Sequence, residues 1–360
     1  MNRFSSLLFS VVLAGPAVAQ SFGAVFTLTN DATDNAVAVT LRLPFGTLLP
    51  LGEFSTGGAG TGGGLGSQGA LATSGNDKFL YAVDPGSDEV TMFRLLFGVL
   101  PLRLDSAPTG DRPTSVAVRG NLVYVLNAGS DSVTGFRRQG NSLQAIPGAT
   151  YPLSQAGAAA AQVGFSPDGD HLVVTERATQ TIGVFSVNPN GTLGTVQYTT
   201  AAAPTPFGFL FRDDGLLVVT EAVGGMPDAS VTSSYRIQAD GTLAVVSAAV
   251  PTLESAACWV AIPRQGHFAY VTNTGSGTIT GYSVDAVGQL VRLDADGITG
   301  NLGAGAGPID AEFDPSGRFL FVLDGANDRV RGFWRRNDGG LQLLATSIDM
   351  PNGTAGLLVR

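Results

Sequence analysis

Short apolar runs, each closed by a single Asn, Asp or Glu, recur along the chain. Six of them read Tyr81-Ala82-Val83-Asp84, Tyr124-Val125-Leu126-Asn127, Val173-Val174-Thr175-Glu176, Val218-Val219-Thr220-Glu221, Tyr270-Val271-Thr272-Asn273 and Phe321-Val322-Leu323-Asp324. A seventh, Phe26-Thr27-Leu28-Thr29-Asn30, comes first. The closing residues stand at 30, 84, 127, 176, 221, 273 and 324, with successive gaps of 54, 43, 49, 45, 52 and 51 residues. A period of about 50 with short alternating strands predicts one propeller blade per repeat.

Each repeat continues alike. Six residues after the closing residue a β-branched residue opens another strand, as in Val90-Thr91-Met92-Phe93, Ile182-Gly183-Val184-Phe185 and Val330-Arg331-Gly332-Phe333. The fifth repeat delays this strand to Val231, which lengthens its loop Ala222–Ser230 by four residues. A Gly turn and a leucine follow, as in Asn190-Gly191-Thr192-Leu193 and Asp240-Gly241-Thr242-Leu243, and predict a hairpin into a fourth strand. A first strand precedes a turn of its own, as in Val163–Gly169. The pattern predicts an all-β fold, a single seven-bladed β-propeller with four-stranded blades. The first repeat lacks its first strand, and Thr354–Val359 at the other end reads as the missing piece. The C-terminal strand is therefore expected to complete the first blade, close the ring and remove two exposed sheet edges.

Composition narrows the function. Charged residues are 14% and apolar residues 44% of the 360, which suits a packed domain and not a disordered chain. The net charge of −9 argues against nucleic acid as a partner. Lys78 is the only lysine, so neither a P-loop nor a Schiff-base lysine is expected. Met1-Asn2-Arg3, the apolar stretch Phe4–Gly15 and Ala17-Val18-Ala19 read as a signal peptide over residues 1–19, with the propeller over 20–360. A periplasmic or extracellular location follows as an expectation. No later stretch reads as a membrane span, and a monomer is expected. The single cysteine, Cys258, allows no internal disulfide and reads as a small buried hydrophobe.

The Tyr-Val-Thr-Asn repeat and the Asp-Gly-Thr-Leu turn resemble those of the seven-bladed lactonase family. That family includes propeller-type 6-phosphogluconolactonases and carboxymuconate-lactonizing enzymes. The resemblance covers nearly the whole chain after residue 19 and implies hydrolysis of a cyclic ester. It also implies a Gly-Pro-Arg-His motif before the first strand of a blade, with Arg binding an anion and His moving a proton. Here the motif reads Gly307-Pro308-Ile309-Asp310, so Ile stands for Arg and Asp for His. The corresponding residues of the other inner strands are Gly69, Ser115, Gln162, Gly208, Trp259 and Gly356. Neither His171 nor His267 falls in this ring, and both read as structural.

Candidate chemistry is thus acidic. Asp84, Glu176, Glu221 and Asp324 close their repeats with a carboxylate. Asp310 and Glu312 lie two apart on one strand and face one side. Arg112 and Arg177 are the basic residues nearest the expected mouth, which the loops after the closing residues and between blades would form. One reading makes Asp310, Glu176 and Glu221 an acidic mouth that activates water, with Asp310 or Glu176 as base and Arg112 as carbonyl polariser. Glu221, Arg177, Gln162, Trp259 and Glu312 would then contact ligand. A divalent cation, calcium or magnesium, could serve such a mouth through oxygen ligands. In the other reading these carboxylates only cap turns through backbone N–H groups. The partner would be a small polar or sugar-derived lactone. The alternative is a non-catalytic propeller that binds a ligand or a protein. The glycine-rich stretch Thr56–Gly69 lacks the strand, helix and Lys of a phosphate loop and reads as a flexible linker.

Overall fold

A computed structural model describes residues 22–360. The proposed signal peptide lies outside the described residues. Seven antiparallel sheets follow one another around a ring. Blade 7 shows the common plan. Its innermost strand, Pro308–Phe313, is followed outward by Phe319–Asp324, Arg329–Arg335 and Leu341–Asp349. The inner strands of blades 2 to 6 are Leu71–Thr73, Pro113–Arg119, Ala160–Phe165, Pro206–Phe211 and Ala257–Ala261.

Blade 1 is built from both ends of the chain. Ala355–Val359 is its innermost strand and pairs antiparallel with Gly23–Leu28. Ala36–Arg42 and Leu48–Ser55 complete it. Blade 6 departs from the plan at its rim. There the fourth strand is split into Leu290–Arg292 and Gly300–Asn301, which pair with opposite ends of Thr278–Val284. The long loop of blade 5 carries a single 3-10 turn, Val223–Gly225.

The second strands are buried on both faces, because each blade is covered by its neighbours. Their repeat aromatics Tyr81, Tyr124, Tyr270 and Phe321 are fully buried between sheets, each burial contributing roughly 1.5–3 kcal/mol. Two features of the repeat lock together across blades. Tyr124 donates its hydroxyl hydrogen to the carbonyl of Gly191, in the hairpin turn of the next blade, at 2.6 Å. Tyr270 does the same to Gly339 of blade 7, also at 2.6 Å. In these two blades the aromatic that opens a repeat and the glycine turn of the next one form one inter-blade contact that keeps a buried phenol satisfied, whereas the buried Tyr81 hydroxyl has no such partner among the described residues.

Candidate active site

The inner strands carry the site, and a shared irregularity aims its side chains. Near the start of each inner strand in blades 3 to 7 the pairing register slips, at Pro113/Ser115, Ala160/Gln162, Pro206/Phe209, Ala257/Trp259 and Pro308/Asp310. A bulge of this kind re-aims the residue beside it. Ser115, Gln162, Trp259 and Asp310 all stand at such a slip, and Gly208 lies inside one.

Asp310 is 2% exposed. Its Oδ1 accepts the backbone N–H of Ala311 at 2.8 Å and the side-chain amide of Gln68 at 3.3 Å, and its Oδ2 accepts the N–H of Leu357 at 2.9 Å. Burial outweighs these bonds, and with the nearby Glu312 charge it pushes the Asp310 carboxyl up to about 8. Glu312 faces the same side, as its spacing predicts. It accepts the N–H of Val359 at 2.7 Å and pairs with Arg360 at 2.8 Å.

Both carboxylates line a channel cavity of about 640 Å³. Gln68 and Gln162 share its inner end with Asp310, and Arg264 and Arg360 stand toward its opening. The exposed part of its lining comes from the turns that join first strands to second strands, at Gly75, Asp77, Asp213, Arg264 and Pro315. Arg264 is exposed, and its guanidinium has no hydrogen-bond or ion-pair partner among the described residues.

Of the other expected site residues, Glu176, Glu221, Arg112, Arg177 and Trp259 do not join this cavity. Glu176 is fully buried and is satisfied by its own chain. It accepts the N–H and hydroxyl of Ser154, the hydroxyl of Thr179 at 2.8 Å and that of Thr181 at 3.3 Å. Glu221 accepts Ser233 Oγ at 2.7 Å and the Tyr235 hydroxyl at 2.8 Å, and burial pushes its carboxyl up to about 7. Asp84 binds Asn35 and the hydroxyls of Thr56 and Thr91. These carboxylates tie the ends of second strands to neighbouring segments, mostly through side-chain hydroxyls and less through the backbone N–H groups of the capping reading. The acidic mouth of Asp310, Glu176 and Glu221 is therefore not assembled. Among the described residues no group of three or more His, Cys, Asp and Glu could hold a metal ion.

Arg112 and Arg177 sit at the opposite end. Arg112 is exposed, and its backbone bonds to Asp88 and Ala128. Arg177 donates to the carbonyl of Ala159 at 2.8 Å and lies over the Phe207 ring at 4.8 Å. Phe207 meets Trp259 edge to face in an apolar cluster with Ala161, Ala222 and Cys258. Trp259 packs in this cluster and does not line the cavity, and Cys258 is buried as expected, its thiol pushed up to about 11 by burial. Gln162 lines the cavity, with its amide engaged by both backbone groups of Phe209.

Sequence reasoning missed Gln68. The glycine-rich stretch is not a flexible linker. Asn30 takes the backbone N–H of Thr61 at 2.9 Å and bonds the Gly63 carbonyl, and Gly60 donates to Asp31 at 2.6 Å. The stretch then delivers Gln68 across the channel. Its backbone binds Ser115 of blade 3 and Ala161 of blade 4, and its amide binds Val260 of blade 6 and Asp310 of blade 7. Gly69, at φ +79°, makes the turn into blade 2. The usable signal was a single glutamine next to the ring position of Gly69.

Comparison with known proteins agrees with the architecture. The family model described as a lactonase with a seven-bladed β-propeller matches residues 141–251 and 222–356, together more than half of the chain. No curated protein sequence matches. Among solved structures, a candidate 6-phosphogluconolactonase from Bacteroides fragilis is similar at 18% identity, covering 96% of this chain and 100% of its own, with a TM-score of 0.76. A periplasmic gluconolactonase from Pseudomonas aeruginosa is similar at 18% identity, covering 94% and 99%, with a TM-score of 0.72. At these identities the structural likeness concerns the fold.

Proposed function

From the premise that the chain belongs to the seven-bladed β-propeller lactonase family, we propose that it opens a small polar or sugar-derived lactone in the channel cavity, with Asp310 as the proton-transfer group. One observation carries this reading. Asp310 lines the cavity, and burial moves its carboxyl to about 8, into the range where a histidine would titrate. It stands at the position where the Gly-Pro-Arg-His motif has its histidine.

In the proposed reaction a water oxygen adds to the lactone carbonyl carbon. Protonated Asp310 donates to the ring oxygen as the acyl C–O bond breaks. The proton shed by the added water returns to Asp310. Arg264, the unpaired guanidinium at the cavity opening, takes the carbonyl oxygen and then the product carboxylate. Glu176 and Arg112, expected as base and polariser, have no part here, because neither lines the cavity. The N-terminal sequence pattern supports export, so the substrate would be met outside the cytoplasm.

A pH-stat assay on a panel of lactones tests the reading. Asp310→Asn is expected to lose about 10²–10⁴-fold in turnover, and Glu176→Gln to keep full turnover per folded molecule. Turnover above the uncatalysed background is expected to fall as pH rises through about 8. Unchanged turnover in Asp310→Asn would overturn it. A second reading, a ligand-binding propeller without catalysis, is favoured by one fact: both Asp310 oxygens already accept hydrogen bonds from the chain. Absence of turnover on every lactone would favour that reading.

A further inference from the structure

Outside the channel a second cavity of about 540 Å³ lies between blades 6 and 7. One wall is the turn Gln265–Phe268 of blade 6. The other is formed by Ser316 and Arg318 with Trp334, Arg335 and Asn337 of blade 7. Gln265 bridges the two walls by donating its amide to the Ser316 carbonyl at 3.3 Å.

Three properties of this cavity point the same way. First, it is basic. Arg318, Arg335 and His267 line it, and none of its lining residues is Asp or Glu, on a chain whose net charge is −9. Second, its cations differ in their commitments. Arg335 is held, with its Nε on the Gly317 carbonyl at 2.8 Å and its guanidinium over the Phe268 ring at 5.5 Å. The Arg318 guanidinium and the His267 ring have no hydrogen-bond or ion-pair partner among the described residues. Third, Trp334 leaves 42% of its surface in solvent beside them. An indole exposed this far forgoes burial that would stabilise the fold. The Asn337 amide adds a neutral donor and acceptor at the rim.

An exposed indole offers a flat surface to the apolar face of a pyranose ring. A free guanidinium offers two parallel donors to a carboxylate. We propose that this groove is a binding site for a pyranose carboxylate, a sugar acid such as a uronate. The ring stacks on Trp334, the carboxylate pairs with Arg318, and Asn337 takes ring hydroxyls. The volume suits one to two sugar rings. This site is separate from the channel cavity and does not depend on the lactone reading.

Indole fluorescence tests it, because the chain has two tryptophans and Trp259 is only 3% exposed. The full protein is titrated with glucuronate, glucose and citrate. A saturable fluorescence change with glucuronate is expected. Glucose, which lacks the carboxylate, and the variant Arg318→Ala are each expected to show affinity lower by about tenfold or more, the loss of one charge-assisted hydrogen-bond pair, and citrate, which has no ring to stack on Trp334, is expected to bind more weakly than glucuronate by a similar factor. Trp334→Phe should remove the signal, and calorimetry on that variant should show weakened binding. Asp310→Asn should titrate like the parent. Both groove positions are exposed, and an unchanged unfolding midpoint confirms the fold of each variant. Glucose or citrate binding as tightly as glucuronate overturns the proposal, as does the absence of saturation. Arg318→Ala titrating like the parent overturns it too, and so does a signal lost in Asp310→Asn.

Discussion

Asp310 is a carboxylate whose surroundings favour its neutral form. Its folded value of about 8 stands above the ordinary 3.8 of the unfolded chain, so the folded state holds an extra proton between these limits. The stability this contributes is full at low pH and is lost as pH rises through about 8. A carboxyl displaced by one pH unit on folding changes stability by about 1.4 kcal/mol. Glu221, moved from 4.5 to about 7, acts in the same direction. Asp214 acts in the opposite direction, because Arg212 and Arg236 hold its carboxyl low, but its contribution changes only below the usual carboxylate range. We therefore expect urea unfolding to show stability falling from about pH 5 to about pH 8, and falling less steeply in Asp310→Asn. Equal slopes would mean that Asp310 is ionised in the folded protein throughout. The sequence shows that Asp310 and Glu312 share a face, because a two-residue spacing on a strand is a local matter. It does not show that Glu176 and Glu221 are consumed by Ser154, Thr179, Ser233 and Tyr235, since a closing Glu reads the same whether its oxygens meet water or hydroxyls.

Among the elements, blades were legible and their connections were not. A blade is a run of hairpins, each pairing within a few tens of residues, so apolar runs and glycine turns mark its strands. The stretch Thr56–Gly69 makes its contacts with Asn30, Asp84, Ala161, Val260 and Asp310, most of them far away in sequence. Its glycines are close-approach positions as well as turn positions. A Cβ on Gly60 would fall against the backbone of Asn30, far inside contact distance, whereas one on Gly64 would meet nothing within 4 Å. Gly60→Ala is accordingly expected to lower the unfolding midpoint clearly, and Gly64→Ala to change stability by less than about 0.5 kcal/mol. A flexible linker would tolerate both substitutions equally, and a pair of thermal melts decides between them.

At the scale of the whole molecule, closure rests on the last few residues. Arg360 exchanges two backbone hydrogen bonds with Ala24, at 2.7 and 2.8 Å. Its side chain binds Glu312 of blade 7 and Thr73 and Asp77 of blade 2. One residue therefore joins three blades, and the strand before it supplies Asp310 with the Leu357 N–H. Deleting residues 353–360 exposes the edge of Gly23–Leu28 and removes that donor. The truncated ring is expected to melt more than about 10 °C below the full chain, as a loss of several kcal/mol would require. A coincident melt would show that the other blades close the ring without it. This closure was legible because a missing strand at one end and a spare one at the other are both visible in a repeat.

A ring of blades is, in energetic terms, a string of nearest-neighbour terms bent into a circle, and such a string can order from any point outward. Gln68 breaks that locality. Its bonds to Ser115, Ala161, Val260 and Asp310 can form together only when blades 3, 4, 6 and 7 already stand at their final distances. It works as a keystone does in a vault, holding together pieces that do not touch as neighbours. The proton-transfer residue proposed here is bonded to that keystone. Its environment thus comes into being with the completed ring, and a partly assembled chain, however many blades it has ordered, does not yet possess it.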